Sequence, residues 1–435
     1  MRDRKSWFAM GGILATLAVA LALPIGTEAT SKFKLLASFH NKQGGEYPEA
    51  ALVFDETGNL YTTTYNGGSG GGTVVQLTPT HDGKWSKNVI YEFTGHKDGG
   101  NPLSDLIFDQ AGNLYGTTVD GGERTACNGG GCGVVFKLTP KDGSWTESVL
   151  HNFAGGKDGA QPYAGLVFDT AGNLYGTTTG GGGIGNCVDP FGCGVVFELS
   201  PNQNGGWTEK ILHRFTGGKD GAYPWAAPVI DEAGNLYGTT LYGGNVNDCN
   251  ITGCGVVFRL SPNQNGGWTE KVLHTFTRGK DGGFPYAGLI LDAGGNLYGT
   301  TADGGNLNLC SPDGCGVVFR LSPNENGNWS EKVLHEFTGE DGEAPDASLI
   351  FDTAGNLYGP TASGGNLNYC KPYGCGVVFE LTPIANGSWT ESVVYRFGGM
   401  ETGTVASLIF DTSGNLYGTG GCVGHCKGVV FEISP

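Results

Sequence analysis

Gly172–Thr178 reads GNLYGTT, and its first four letters return at Gly58, Gly112, Gly234, Gly295, Gly355 and Gly414, spaced 54 to 62 residues apart. Self-similarity at such a period marks a repeat architecture and has to be read before length or composition. The unit around Gly172 shows what repeats. Leu166-Val167-Phe168 is a short apolar run, and Asp169 to Asn173 carries turn residues. Leu174–Thr178 (LYGTT) is a second β-prone run. A glycine-rich loop with two cysteines follows, then GVVFEL at Gly194–Leu199. A polar loop over 201–206 leads to WTEKILHRF at Trp207–Phe215. The runs are short, rich in β-branched and aromatic residues, and bounded by Gly, Asn, Asp or Pro. That is the pattern of strands joined by hairpins. Beyond residue 29 no segment sustains a helical apolar period over ten residues.

Four antiparallel strands per unit, repeated radially, make the blade of a β-propeller. Seven GNLY copies therefore predict an all-β, seven-bladed β-propeller. The chain stops at Gly428–Ile433 (GVVFEI), the third strand of the seventh unit, while Phe33–Phe39 (FKLLASF) matches the tail of WTEKILHRF and precedes the first unit. The N-terminal strand is thus expected to complete the last blade, pairing two edges that would otherwise stand open. The sixth unit alone reads LYGPT. Pro360 has no N–H to give a ladder, so a bulge or an unpaired position near the strand's end is expected there.

A length of 435 residues would ordinarily suggest two or three domains. The repeats override that prior and assign residues 30–435 to a single ring. The 80 glycines recur at fixed places, in hairpin turns and in the loops before each third strand. Residues 1–29 differ: Arg2, Arg4 and Lys5 precede the apolar stretch Trp7–Leu23, and Thr27-Glu28-Ala29 offers small residues for cleavage. This reads as a secretory signal peptide, the alternative being an uncleaved anchor. The net charge of −17, one unit more negative once that segment is removed, argues against a nucleic-acid partner.

All twelve cysteines fall in pairs between the second and third strands of units two to seven: Cys127 with Cys132, Cys187 with Cys193, Cys249 with Cys254, Cys310 with Cys315, Cys370 with Cys375, and Cys422 with Cys426. The first unit carries GGSGGG at Gly67–Gly72 instead. Even count, strict pairing and an export signal argue for disulfides. Each closes a short loop and constrains little chain entropy. Zinc would want four ligands, and each loop supplies only two thiols.

The motifs GNLYGTT, CGVVF(K/E/R)L and W(T/S)E(K/S)VLH-x-F, as in Gly172–Thr178, Cys193–Leu199 and Trp268–Phe276, resemble a bacterial family named for its tandem GloVer repeat, of Gloeobacter and Verrucomicrobia. The resemblance covers nearly all of residues 33–435. It implies an exported, cell-surface repeat protein of unassigned activity, often with one of several C-terminal sorting anchors (a choice-of-anchor protein). This chain ends at Pro435 directly after a strand, which favours plain secretion or periplasmic residence. The resemblance transfers no catalytic residue.

The repeats provide an internal control, because a ring has one central site and not seven. Asp55, Asp109, Asp169, Asp231, Asp292, Asp352 and Asp411 all precede the turn of the first hairpin and are expected to bond its backbone. His151, His213, His274 and His335 become Tyr91 and Tyr395 in other units and are expected to pack between blades. Trp85, Trp145, Trp207, Trp268, Trp329 and Trp389 open fourth strands and read as scaffold. Lys-Asp-Gly recurs at Asp98, Asp158, Asp220 and Asp281 and reads as a turn, or as a ring of negative charge on one face.

Positions that break the repeat are more informative. After the proline that opens each first strand come Glu49, Leu103, Tyr163, Trp225, Tyr286, Asp346 and Val405. Two positions on, facing the same way, come Ala51, Asp105, Gly165, Ala227, Gly288, Ser348 and Ser407. The channel mouth is therefore expected to combine Tyr163, Trp225 and Tyr286 with Glu49, Asp105 and Asp346, the small residues leaving room. Aromatic faces beside carboxylates suit sugar rings; the alternative is that these side chains plug the channel. Paired acids could also perform glycosidase chemistry, which needs two carboxyls at a set separation. Asn245, Asn247 and Asp248 offer oxygen ligands for calcium, without a full loop motif.

The expectation is an exported binding or scaffold protein, periplasmic, cell-surface or secreted, with a glycan or peptide as ligand. No cofactor or metal is assigned, nor any catalytic residue. The mature chain is expected to be a monomer that does not insert in a membrane. The second reading is a propeller glycoside hydrolase or lyase, favoured if the three acids converge in an open pocket.

Overall fold

The computed structural model describes residues 31–434 apart from 124–126, 184, 186, 188–191, 246–248, 250–251, 399–405 and 423–425. Ser31–Pro435 is one compact unit. It holds seven four-stranded antiparallel sheets, each strand beside its neighbour in sequence, with one exception. In the third sheet the strands are Val167–Phe168, Leu174–Thr178, Val195–Pro201 and Trp207–Arg214. The exception closes the ring. Lys32–Ser38 pairs antiparallel with Val429–Ser434, so the first strand of the chain becomes the outer strand of the seventh blade. Among the described residues there are only two short 3-10 turns and no α-helix. No helix there is long and apolar enough to cross a membrane.

Each blade is built from the same local devices. In the first hairpin Asp169 Oδ1 accepts the N–H groups of Ala171 and Asn173, while Oδ2 accepts Asn173 Nδ2 and the Tyr175 hydroxyl. The acid of GNLY's turn thus anchors the tyrosine of GNLY itself. In the second strand Gly176 faces Phe197, and a Cβ there would stand 2.5 Å from the ring's Cζ. The first blade makes the reverse choice, with Thr62 facing Val75. A β-carbon on one strand is matched by a smaller side chain on the other, because close-packed interiors leave no slack.

The core lies between blades. One cluster joins Tyr115, Val135 and Phe153 of the second blade to Leu166, Leu174 and Phe197 of the third. Its counterpart across the closure joins Leu36, Phe39 and Tyr417 to Leu60 and Val75. Each fourth-strand tryptophan contacts the GNLY tyrosine of the preceding blade, from Tyr61–Trp145 at 6.0 Å to the closing Trp85–Tyr417 at 6.3 Å. Near the channel, second-strand threonine hydroxyls donate to the next blade's backbone: Thr63, Thr117, Thr177, Thr239, Thr300 and Thr419 do so at 2.8 to 3.4 Å.

Pro360 stands where those six blades have threonine, and it forms no bulge. It ends the strand Leu357–Pro360 in register with Val378. The reason is parity. Strand N–H groups point alternately to either side. The Thr361 N–H reaches the Val377 carbonyl at 2.9 Å, so the nitrogen of residue 360 faces the first strand, whose ladder has already ended at Tyr358. The proline removes an interblade hydroxyl and no rung of that ladder.

The strand-four histidines do lie between blades, and each faces the aspartate of the following turn. His151–Asp158, His213–Asp220, His274–Asp281 and His335–Asp341 stand 3.0 to 3.4 Å apart. The six cystines close loops five to seven residues long, Cys127–Cys132 through Cys422–Cys426, as the sequence pairs them.

Candidate functional site

The route into the channel is the same in six blades. A residue in the left-handed region immediately precedes the proline: Tyr47, Asn101, Gln161, Tyr223, Phe284 or Ala344, with φ between 53° and 62°. That conformation is uncommon outside glycine and needs support. The loop before the preceding blade's third strand supplies it, with or without a cystine: Asn101 donates its N–H to the carbonyl of Gly71 in the cysteine-free first loop. Gln161, Tyr223, Phe284 and Ala344 donate their N–H to the carbonyls of Cys132, Cys193, Cys254 and Cys315 at 2.8 to 3.0 Å. The proline then rests on the glycine after that cysteine. At Gly133, φ +91°, a Cβ would meet the Thr118 carbonyl at 2.1 Å and Pro162 Cδ at 2.7 Å. Only glycine fits, and the residue after the proline is thereby aimed into the channel.

Glu49, Asp105, Tyr163, Trp225, Tyr286 and Asp346 line one open cavity of about 400 Å³. They come from six blades. Val405, the seventh equivalent, lies outside the described residues, as do Asn247 and Asp248 of the calcium candidate. Tyr163 stacks on Trp225 with centroids 4.3 Å apart and planes at 20°, and Tyr286 meets Trp225 edge-on at 6.0 Å. All three rings remain part-exposed to the cavity. The glycines beside them do not serve to leave room. A Cβ at Gly165 would stand 3.2 Å from Asp105, and one at Gly288 3.0 Å from Ser348 Oγ, so these glycines let neighbouring first strands approach.

The acids differ in their surroundings. Glu49 is exposed at the mouth. Asp105 Oδ1 accepts the Ala51 N–H at 2.7 Å, tying the first blade to the second. Its side chain is open to channel water, yet the encircling blades replace so much bulk solvent that desolvation raises its pKa. Asp346 Oδ1 is buried with no hydrogen-bond partner among the described residues. Desolvation, and secondly the negative charge of Asp303, push this carboxyl up to about 7. Asp303 is itself held by Arg278 at 2.8 Å, and the same guanidinium contacts Asp313. Sequence reasoning passed over this trio. Its signal was Arg278, which replaces the glycine found before Gly218 at Gly217.

The mouth therefore presents aromatic surface, one fixed acceptor at Asp105, and at Asp346 a carboxyl that is half protonated near neutral pH. Such a group can donate as well as accept.

A model of the Gloeobacter/Verrucomicrobia repeat matches residues 26–205 and 188–431. No curated protein matches the sequence. Among solved structures, an ancestral GH74 enzyme aligns at 12% identity and a TM-score of 0.53, covering 91% of this chain and 51% of that one. A protein described as an oxidoreductase (glucose dehydrogenase) from Thermus thermophilus aligns at 16% identity, TM-score 0.42, over 77% of this chain and 94% of that one. A protein of unknown function from Dyadobacter fermentans aligns at 12% identity, TM-score 0.43, over 93% and 100%. At these identities the likeness speaks to fold alone.

Proposed function

We propose that this chain, which belongs to the Gloeobacter/Verrucomicrobia repeat family, is an exported propeller that binds a glycan or a peptide at the mouth of its central channel. The observation that carries the reading is the convergence of six repeat-breaking side chains, from six blades, on one open cavity of about 400 Å³. A scaffold has no need to depart from its own repeat at a single ring of positions. The three rings offer apolar surface for a sugar face or an aliphatic side chain, and the acids offer acceptors around it. Export rests on the six disulfides, which persist in oxidising compartments, and on the signal-like residues 1–29. The mature protein acts as a monomer outside the membrane, with no cofactor.

The test is a glycan and peptide array probed with the mature protein, followed by calorimetry on each hit. Trp225→Ala should abolish binding while the melting temperature holds. If no ligand is found and Trp225→Ala unfolds the protein, the rings are a plug and the reading fails.

The convergence of Glu49, Asp105 and Asp346 on one open cavity is the condition set for an enzyme and favours a hydrolase or lyase as the second reading. Asp346 has an unpartnered oxygen and a pKa near 7, which suits a general acid. Reducing-end release from a polysaccharide panel, lost in Asp346→Asn with ligand affinity retained, would move the protein to that class.

A further inference from the structure

Away from the channel, the interfaces between blades carry a repeated trio: the strand-four histidine, the aspartate of the following turn, and a glutamate on the next blade's fourth strand. Five interfaces can be compared. At the first, Tyr91 replaces the histidine and its hydroxyl bonds Asp98 at 3.3 Å. At the third and fourth, Thr216 and Thr277 occupy both oxygens of Asp220 and Asp281, one with the backbone N–H and the other with the hydroxyl. At the fifth, Thr338 bonds Asp341 Oδ1 through both groups, and His335 Nε2 hydrogen-bonds Oδ2 at 3.0 Å.

The second interface departs from all of these. Ala154 stands where the others have threonine. Its N–H still bonds Asp158 Oδ2, at 2.6 Å, but no hydroxyl takes Oδ1. Oδ1 instead faces His151 Nε2 at 3.3 Å, and Glu209 Oε1 comes within 3.9 Å of the same nitrogen. Neither contact has hydrogen-bond geometry: His151 Nε2 and Glu209 Oε1 are buried without one, as are His213 Nε2 and Glu270 Oε1 at the third interface, so what sets the second apart is the missing threonine hydroxyl on Asp158. Three lone-pair donors from three segments thus converge, all within 4.8 Å of one another. The ring of His151 is fixed edge-on against Phe153 at 4.7 Å, and Asp158 is fixed by its backbone bond.

We infer that His151, Asp158 and Glu209 form a binding site for a divalent transition-metal ion of the Zn²⁺ type, clamping the second blade to the third. Zinc bonds to imidazole nitrogen and carboxylate oxygen are roughly 2.0–2.2 Å, which in a tetrahedron sets donors about 3.3–3.5 Å apart. The observed 3.3 and 3.9 Å need a closure of at most about 0.6 Å, and the two carboxylates, which lie within 4.8 Å of each other, at most about 1.5 Å. One nitrogen and two carboxylates favour a borderline ion over Ca²⁺ or Mg²⁺, which take six or more oxygens. The fourth position falls to water. The trio His335, Asp341 and Glu391 is as compact, but its aspartate is already bonded to Thr338 and its histidine to that aspartate, so it serves as the internal control.

The test uses disulfide-intact protein without a polyhistidine tag, titrated with Zn²⁺ by calorimetry and with Co²⁺ by visible absorption. The wild type should bind one tight equivalent, raise its melting temperature, and show the intense bands of four-coordinate Co²⁺. His151→Tyr, which copies the first interface and so should fold, should lose that equivalent. Ala154→Thr, whose hydroxyl would compete for Asp158 Oδ1 as Thr216 does for Asp220, should weaken it measurably. His335→Tyr should keep it. Absence of a saturable equivalent in the wild type, or its retention in His151→Tyr, overturns the site. Loss in His335→Tyr places the ion elsewhere and overturns it equally.

Discussion

The clearest perturbation of the scaffold is Gly176→Ala, because the molecule contains its own compensating pair. An alanine Cβ would lie 2.5 Å from Cζ of Phe197 and 2.9 Å from Cδ2 of Leu166. Carbon pairs settle at about 3.5–4.0 Å, so the ring has to retreat by roughly 1 Å. Phe197 is fully buried and has nowhere to go. Overpacking of this kind costs about 1–3 kcal/mol. Replacing a strand glycine returns roughly 0.5–1 kcal/mol of backbone entropy, which leaves Gly176→Ala about 1–2 kcal/mol less stable than wild type. Phe197→Val alone opens a cavity and, scaled from Phe→Ala changes of roughly 3–5 kcal/mol, costs about 2–3 kcal/mol. The double variant approximates the Thr62–Val75 pairing of the first blade, with alanine in place of the threonine. There the clash is gone and the entropy gain remains, so it should be only about 1.5–2.5 kcal/mol less stable. Additivity would give about 3–5 kcal/mol. Urea unfolding of the four proteins, followed by tryptophan fluorescence, closes the cycle. A double variant whose loss equals the sum within about 0.5 kcal/mol would refute the complementarity of strand-two glycine and strand-three phenylalanine.

Deleting residues 31–39 should leave an aggregating protein, because Leu36 and Phe39 pack into the closing core and the Val429–Ser434 edge is bared. A synthetic peptide of that segment should restore soluble monomer; an unchanged midpoint in the deletion would mean the ring closes otherwise. Replacing Cys127 and Cys132 together with serine should cost at most roughly 2 kcal/mol, given the short loop; a loss comparable to the strand deletion would show that the cystines hold the ring itself. Glu147, beside Asp98 at the first interface, has its pKa raised to about 7, chiefly by burial and then by Asp98. A raised acid favours the folded state when protonated, so its contribution is complete below its ordinary 4.5 and is lost as the pH rises through about 7. Glu147→Gln should therefore melt higher than wild type at pH 8 and alike at pH 4; equal melting at both would show Glu147 to be solvated.

The ring was legible because its evidence is redundant. Seven copies of GNLY fix the blade, and the spare strand at Phe33–Phe39 meets the missing one at Val429–Ser434. The positions aimed at the channel were legible for the same reason, since departure from a repeat needs no knowledge of distance. What escaped the sequence depends on parity and on contact. At Pro360 a bulge or an unpaired position near the strand's end was expected; the second is found, and which of the two occurs turns on odd or even position relative to Thr361. Gly165 and Gly288 looked like vacant space and are points of strand approach. Asp346 and Glu49 were indistinguishable as letters. Only the fold sets one beside Asp303 with a buried, unpartnered oxygen and leaves the other exposed at the mouth, where the surrounding blades raise its pKa by desolvation alone. The comparison of repeats also extends beyond the channel once the contacts are known. Ala154 is an unremarkable substitution in the sequence, and becomes informative when Thr94, Thr216 and Thr277 are each seen to give a hydroxyl to the aspartate oxygen that Ala154 cannot reach. A departure from a repeat acquires chemical meaning when the partner that the repeat normally satisfies has been identified.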